Sequence, residues 1–237
     1  MASNTIHFAP GILIAFGQMI DAKPHQHNLW QLCFPFGDCW LNQQRVTDAV
    51  IIKPNEPHQL KMSKGWVMLV EPESTLAQVI QQNSICLPTE IDATDVATLI
   101  EQLVSFPLLV STLTSNPYQS KDTRILQLLH RLDTCLLGDC IKPEQWRAKD
   151  VAQWLSLSQS RFLHLIKEQL GMSWRAYLKW RRLGCALMAI KSGRSLTDAA
   201  YISGFSDASH LCRMIKQTFG MTSKQLLKSF SNALAPA

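Results

Sequence analysis

The sequence predicts a two-domain α+β protein: a small N-terminal β-barrel followed by an all-α domain with two helix-turn-helix motifs. Short segments rich in β-branched and aromatic residues fill residues 6–72, as is typical of strands. A helix-turn-helix pattern then occurs twice, at an offset of 48 to 49 residues. Residues 1–119 carry 5 Lys and Arg against 10 Asp and Glu, whereas residues 120–237 carry 18 against 8. The basic C-terminal half is therefore expected to bind a polyanion.

The composition of the chain argues against several classes of protein. The 237 residues are 46% hydrophobic, which is enough for one large or two small cores. Because no run of 18 apolar residues occurs, a membrane helix is not expected. The first residues lack the basic region of a signal peptide. The 7 cysteines show no C-x-x-C spacing and indicate reduced thiols, so a cytoplasmic protein is predicted.

The N-terminal domain is predicted from segments bounded by Gly, Pro and Asn: IHF, GILIAFG, LWQLCFPF, DCWLNQQ, AVIIKP, HQLKM and WVMLVEP. So many short strands in about 70 residues favour a small barrel or sandwich. Residues 1–88 are assigned to this domain. Residues 89–119 are predicted to hold a helix over 92–106 and a linker. That helix either pairs with its copy in a homodimer or packs on its own barrel.

Three histidines and a glutamine mark a candidate ligand site in the β domain. His25 and His27 share one face of an extended segment, and His58 follows a turn that contains two prolines. Here the chain resembles the cupin family, in which an H-x-H pair and a later His meet inside the barrel. Cupins commonly add a Glu, and Gln31 stands nearest to that position. The residues are consistent with a divalent metal on the three histidines, a pocket without metal, or a purely structural use.

Two tryptophans extend this candidate site. Trp30 and Trp40 have large flat side chains that suit a small organic ligand, although core packing is the commoner role of such residues. No cofactor is expected, apart from the alternative of the divalent metal. The chain lacks a Ser/His/Asp set, a nucleotide loop and paired carboxylates, so an enzyme is not predicted.

The helical domain, residues 120–237, is predicted to begin with a helix over 122–137. The first helix-turn-helix starts at 149–155 and continues in an outer helix capped by Ser158. A helix over 173–191 follows, about 28 Å long, which suits two insertions into successive major grooves.

In the second motif Ser195 and Asp198 have capping-box spacing. Gly204 supplies the turn between the two helices. Ser206 is predicted to cap the outer helix that follows.

The residues of this domain resemble the AraC/XylS family of bacterial transcription regulators over 120–228. The resemblance rests on Ala152, Leu157, Ser158, Ile166, Lys167, Gly171, Tyr177, Leu178, Arg181, Arg182, Leu183, Ala186, Ala200, Gly204, Phe205, Asp207, Ser209, Arg213, Gly220, Met221 and Thr222. It implies two helix-turn-helix units that read adjacent major grooves, preceded by an effector or dimerisation domain. An activator that works with RNA polymerase is predicted, although the residues themselves do not distinguish activation from repression.

Matching positions assign the candidate DNA contacts. The base-reading candidates are Ser160, Leu163, His164, Ala208, Ser209, Cys212 and Arg213. The phosphate candidates are Lys167, Arg181, Arg182 and Lys216. Arg213 is the strongest of them, because a bidentate Arg to guanine is the commonest specific contact. The family often has Arg where His164 stands, so the first unit is expected to contact guanine less strongly.

These observations predict a sequence-specific regulator that binds double-stranded DNA and responds to a small molecule at the N-terminal barrel. Two alternatives remain open at this point. One is a constitutive regulator whose barrel only dimerises. The other is a metal-dependent cupin enzyme with a DNA-binding tail.

Overall fold

The computed structural model describes residues 6–82, 118, 122–137 and 146–230, which form an antiparallel β domain followed by a helical domain. The strands are β1 (Ile6–Ala9), β2 (Ile12–Asp21), β3 (Trp30–Pro35), β4 (Cys39–Leu41), β5 (Gln44–Val46), β6 (Val50–Ile52) and β7 (Leu60–Val70). The helices are α1 (Thr75–Gln82), α2 (Thr123–Leu137), α3 (Ala148–Trp154), α4 (Gln159–Leu170), α5 (Trp174–Lys191), α6 (Leu196–Ile202), α7 (Ala208–Phe219) and α8 (Ser223–Ser229). The predicted fold class is confirmed. The predicted helix over 92–106 lies outside the described residues.

The sheet is built around β7. The hydrogen-bonded order is β1-β2-β7-β3-β6, and β4 pairs with both β5 and β7. Strand β2 covers one edge of β7 along most of its length, while β4 and then β3 cover the other. All pairs are antiparallel, so the chain can return through short turns.

The segments HQLKM and WVMLVEP belong to one strand, β7, so the prediction of two strands was wrong. Gly65, which separates the two segments in the sequence, pairs with Gly17 in β2 and with Pro35 in β3. A side chain at Gly65 would overlap the carbonyl oxygen of Phe34. The glycine therefore allows three backbones to approach closely inside a continuous strand.

The segment DCWLNQQ was predicted as one strand and is instead a hairpin of β4 and β5. Its two-residue turn consists of Asn42 and Gln43, whose φ values are 50° and 68°. Turns with two positive φ values match the right-handed twist of the flanking strands, which explains why the chain reverses here.

The two faces of the sheet bury different cores. On one face Ile14, Leu32, Trp66 and Met68 pack together with Leu76 of helix α1. On the other face the alternate residues of the same strands, including Ile6, Leu13, Ala15 and Leu69, join a core shared with the helical domain. Alternation along the strands thus places one apolar layer under α1 and a second layer against the helices.

The helical domain is centred on α5, whose 18 residues span about 27 Å. Its buried side includes Tyr177, Leu183 and Ala186, which are fully enclosed by their neighbours. The β domain packs on the same helix, because the ring of Phe8 lies against Gly184, where any side chain would overlap it. None of the described helices combines the length and the hydrophobicity that a membrane crossing requires.

The helix caps follow the predictions with two exceptions. The hydroxyls of Ser158 and Ser195 accept hydrogen bonds from the first turns of α4 and α6. The Asp198 carboxylate accepts from the Ser195 hydroxyl and not from the backbone N–H that a capping box requires. The predicted cap Ser206 was wrong by one residue. The carboxylate of Asp207 accepts from the His210 N–H at the start of α7, and the Ser206 hydroxyl donates to that carboxylate.

Candidate functional site

The first outer helix, α4, separates an apolar side from a polar side. It buries Phe162, Leu165, Ile166 and Leu170. The predicted contacts Ser160, Leu163, His164 and Lys167 are all exposed on the opposite side. His164 lies 3.9 Å from the Glu168 carboxylate, one helical turn later. The residues predicted to meet DNA are therefore free to reach a groove from this helix.

The second outer helix, α7, shows the same separation. Leu211, Met214 and Ile215 are buried. Among the predicted contacts Ser209, Arg213 and Lys216 are exposed, while Ala208 and Cys212 are half-buried. The Cys212 thiol lies 3.2 Å from the Ser223 hydroxyl of α8. The exposed face thus carries small groups at its N-terminal end and two cations further along.

Arg181 was predicted to contact phosphate, and this prediction was wrong. Its side chain is buried, with a residue exposure of 3%. The guanidinium pairs with the Asp133 carboxylate and donates to the hydroxyls of Tyr118 and Tyr177, at 3.0 and 3.2 Å. Sequence matching missed this because an Arg on a basic helix has the same appearance whether it faces solvent or a carboxylate in the core. Arg182, the next residue, is half-buried and remains a candidate for contact with a DNA phosphate.

The Arg181 cluster also joins the two domains. Glu71, just after β7, lies 4.0 Å from the Arg181 guanidinium and accepts a hydrogen bond of 3.0 Å from the Trp180 indole. Burial raises the pKa of Glu71, while the nearby Arg181 acts in the opposite direction. The β domain is thereby connected to the middle of α5 by a buried polar contact.

The three predicted histidines of the β domain meet. Their ring centroids lie 4.2 Å apart for His25 and His58, 5.1 Å for His27 and His58, and 5.8 Å for His25 and His27. Reciprocal backbone hydrogen bonds of 3.0 and 2.9 Å hold His25 beside His58. One ring nitrogen from each residue lies within 4.8 Å of the others. A third imidazole therefore reaches the pair from a separate turn, as the resemblance to the cupin family implied.

Each of these rings is fixed by a backbone carbonyl. Nδ1 of His25 lies 2.9 Å from the Lys23 carbonyl oxygen, and Nδ1 of His58 lies 2.9 Å from that of Glu56. Nδ1 of His27 lies 3.1 Å from the Leu29 carbonyl oxygen. A carbonyl can only accept, so these contacts favour a proton on Nδ1 and a lone pair on Nε2 in His25 and His58. Nδ1 of His27 also accepts a hydrogen bond of 3.3 Å from the Leu29 N–H.

The remaining ring nitrogens differ in their partners. Nε2 of His27 donates to Oε1 of Gln31 at 2.9 Å, because this amide oxygen can only accept; Gln31 is the residue predicted to occupy the carboxylate position. Nε2 of His58 is buried and has no hydrogen-bond partner among the described residues. Burial lowers the pKa of all three imidazoles, to about 4 for His25, so they are neutral at physiological pH. The neutral imidazoles of His25 and His58, whose Nδ1 atoms face carbonyls, could hold a divalent transition metal, and His27 could join them if its proton moved from Nε2 to Nδ1.

The two predicted tryptophans lie away from this cluster. Trp30 is 8% exposed and packs in the apolar layer under α1. Trp40 lines a separate shallow pocket with Gln43, Gln59 and Lys61. The structure therefore does not bring either tryptophan to the histidines, because both belong to other parts of the sheet.

A cavity of about 470 Å³ lies between the domains and was not predicted. Its walls come from residues 26–29 of the β domain, from the first turns of α5 and from the end of α7. His27 lines it, as do the cationic residues Arg175 and Lys179. No sequence signal marked this cavity, since its walls are distant in the chain and meet only when the domains pack together.

Comparisons with known proteins identify the helical domain. A family profile described as a helix-turn-helix domain matches residues 151–229. An uncharacterized HTH-type transcriptional regulator of Haemophilus influenzae is 27% identical over 103 residues, which are 43% of this chain and 35% of that protein. Regulatory protein ada of Salmonella typhimurium is 36% identical over 85 residues, which are 35% of this chain and 23% of that protein. The chain thus spans about a third or less of these relatives.

Solved structures extend the likeness to both domains. A 1.65 Å structure of ToxT from Vibrio cholerae has a TM-score of 0.50 at 12% identity, covering 92% of this chain and 98% of ToxT. A second ToxT structure, from strain O395, has a TM-score of 0.50 at 14% identity, covering 93% and 98%. At these identities the likeness concerns the fold. The profile match covers both helix-turn-helix motifs, so residues 151–229 are a helix-turn-helix domain.

Proposed function

We propose that the protein is a sequence-specific transcription regulator that binds double-stranded DNA with α4 and α7 and is controlled by a ligand of its β domain. One observation carries the proposal: two capped helices with polar, basic outer faces are attached to a single long helix, α5. A groove-binding helix needs this separation of buried and exposed sides.

The two outer helices have different roles in this proposal. Arg213 contacts guanine in the major groove, and Ser209 lies beside it on the same exposed face. Lys167 and Lys216 sit at equivalent positions near the ends of α4 and α7 and contact phosphates. His164 is the corresponding reading residue of the first unit. Arg181 takes no part in DNA binding, because its charge is used inside the fold.

The ligand-responsive part of the proposal is centred on the histidine cluster. His25, His27 and His58 converge, and His27 also lines the cavity between the domains. A ligand held there touches the β domain, α5 and α7 together. Side chains occupy the apolar layer under α1, so we do not place an effector there. The cavity between the domains remains as the place where an effector binds.

Binding to DNA is tested by selecting duplexes from a random pool with the full chain. We expect enrichment of a motif whose two parts lie one helical turn of DNA apart. The affinity should fall steeply with salt, because the Lys and Arg side chains of the protein release counterions from the phosphates and added salt opposes this release. A chain that enriches no duplex over random DNA contradicts the proposal. Transcription with RNA polymerase on the enriched motif then decides between activation, which we propose, and repression.

A further inference from the structure

We propose that Glu71 holds a proton in the contact between the β domain and α5, and that separation of the two domains releases this proton, so that a rising pH weakens the contact. The proton site goes beyond the proposed function, because it depends on the contact between the domains and not on DNA. Three features of the structure support it: the charges of the Arg181 cluster, the burial of Glu71 and the place of Glu71 between the domains.

The Arg181 cluster contains two acidic groups for one cation. Arg181 contributes one guanidinium, whereas Glu71 and Asp133 contribute two carboxyl groups, and all three residues are buried. The guanidinium compensates the two carboxyl groups together only if one of them holds a proton. A buried carboxyl group without its own cation takes up a proton, because the ionised form is costly away from water.

The hydrogen bonds place this proton on Glu71. Asp133 pairs closely with the Arg181 guanidinium and accepts a hydrogen bond of 2.6 Å from the Tyr118 hydroxyl. Glu71 lies farther from the guanidinium, at 4.0 Å, and accepts a hydrogen bond of 3.0 Å from the Trp180 indole. The charge of Asp133 is therefore the better stabilised of the two. Burial raises the pKa of Glu71 above its usual value, Arg181 lowers it, and the Asp133 carboxylate raises it again.

The other titratable groups around Glu71 do not change their charge near neutral pH. The groups that face it among the described residues are Tyr177 and Arg181 of α5, Asp133 of α2, and Tyr118. Burial raises the pKa of both tyrosines, so their hydroxyls keep their protons. An arginine stays charged in this range. Glu71 is thus the group through which this cluster can respond to pH.

Glu71 lies where the two domains meet. Its backbone N–H donates a hydrogen bond of 2.9 Å to the Gly11 carbonyl oxygen in the β domain, whereas its carboxyl group receives the Trp180 indole of α5. On the same turn, Glu73 lies beside Gly171 at the end of α4, where an added methyl group would be 3.1 Å from its carboxyl oxygen. Separation of the domains therefore exposes the Glu71 carboxyl group to water, and an exposed Glu is ionised at neutral pH.

A higher pH consequently favours separated domains. The pKa of Glu71 is raised in the closed arrangement and normal in the open one, so opening releases one proton at any pH between these two values. The equilibrium constant for opening then rises about tenfold per pH unit in this interval. By linkage, any ligand that favours the separated domains binds more tightly as the pH rises. Trp180 also lines the cavity between the domains, so a ligand there contacts the hydrogen-bond donor of Glu71.

Hydrogen exchange at one amide measures the separation. The Lys23 N–H donates a hydrogen bond of 2.8 Å to the carbonyl oxygen of Gly220 at the end of α7, and the His25 ring rests against the same glycine. This amide loses its partner when the domains separate. The neighbouring Ala22 N–H donates to the Leu60 carbonyl inside the β domain and serves as the internal control.

We expect the opening constant at Lys23, corrected for the intrinsic pH dependence of exchange, to rise about tenfold per pH unit across neutral pH. The constant at Ala22 should not follow it. A wild-type chain whose opening constant at Lys23 does not change with pH overturns the inference.

Three variants test the assignment to Glu71. Glu71→Gln keeps an acceptor for the Trp180 indole but has no proton to release, so the pH dependence at Lys23 should disappear. Asp133→Asn leaves Arg181 to pair with an ionised Glu71, so the pH dependence should disappear here too. Glu73→Gln, at a half-buried carboxyl group on the same turn, is the matched control and should retain it. Persistence of the pH dependence in either of the first two variants overturns the inference.

Infrared spectroscopy of the full chain at neutral pH locates the proton independently. A protonated carboxyl group has a C=O stretch that an ionised carboxylate lacks. We expect this band in the wild type and in Glu73→Gln, and we expect it to be absent from Glu71→Gln and Asp133→Asn. A wild type without the band, or a band that persists in Glu71→Gln, overturns the inference. Urea melts check that the variants fold.

Discussion

Replacing Arg181 by methionine is expected to destabilise the protein strongly while leaving the salt dependence of DNA binding unchanged. The guanidinium is buried and compensates the charges of Asp133 and Glu71, whose own exposures are 8% and 5%. Methionine fills much of the same space but carries no charge and no donor. The two carboxylates and the Tyr118 hydroxyl then lose their common partner.

The magnitude follows from the cost of an unpaired buried charge. Removing one partner of a buried ion pair costs about 3–5 kcal/mol. For a chain of this size each kcal/mol lowers the melting temperature by about 2–4 °C, so a decrease of roughly 6–20 °C is expected. Adding Asp133→Asn to the variant should recover about 1–2 kcal/mol, because the neutral amide can still accept from Tyr118 and no longer needs a cation.

The assay is urea unfolding followed by circular dichroism, together with DNA affinity at several salt concentrations. Arg175→Met is the matched control, since Arg175 is exposed on the same helix, and its stability should stay within about 0.5 kcal/mol of the wild type. The assignment fails if Arg181→Met is as stable as the control and binds DNA with a reduced salt slope. That result would indicate that Arg181 contacts a DNA phosphate.

Three further predictions concern α7 and the histidine cluster. Arg213→Ala should relax the preference at one base pair and cost about 1–3 kcal/mol of binding free energy on the selected duplex. Lys216→Ala should weaken binding to all duplexes alike and reduce the slope of log affinity against log salt concentration by about one. Binding curves on matched and random duplexes separate the two outcomes. Asp207→Ala should destabilise the chain by about 1 kcal/mol in urea melts and Ser206→Ala by much less, and the reverse order would show that the cap is misassigned. In metal-free protein, burial lowers the pKa of His25 from 6.5 to about 4. As the pH drops from 6.5 to 4, His25 is therefore protonated in the unfolded chain before it is protonated in the folded protein, and the free energy of unfolding should fall. Partial exposure limits the loss to about 1–2 kcal/mol, and His25→Gln should remove it from the pH profile; an unchanged profile would contradict the assignment.

The helical domain could be predicted from the sequence in detail because its signals are local. Capping residues such as Ser158 and Ser195 act within one helical turn, and the apolar stripe of α4 repeats along a single segment. Duplication of the motif added independent support. Even the capping error, Ser206 in place of Asp207, lay within a single residue of the observed cap.

The β domain was predicted less accurately because strands are defined by their neighbours. In the sequence alone Gly65 looks like the end of a strand. Its pairing with Gly17 and Pro35 in the structure shows why a glycine is needed inside β7. Alternation placed His25 and His27 on one face, and the resemblance to the cupin family implied that His58 would meet them. The failure of Trp30 and Trp40 to join them depended on which part of the sheet each residue occupies.

The sequence by itself determined the order of the domains, the two helix-turn-helix units and their exposed faces, because hydrophobic periodicity and capping depend on residues close in the chain. Only the tertiary structure decided that Arg181 is a core charge, that a cavity lies between the domains and that His25 rests on Gly220. These three features join segments that are far apart in the chain. Local patterns carry no information about such contacts, since the free energy that selects them arises only when whole domains pack together.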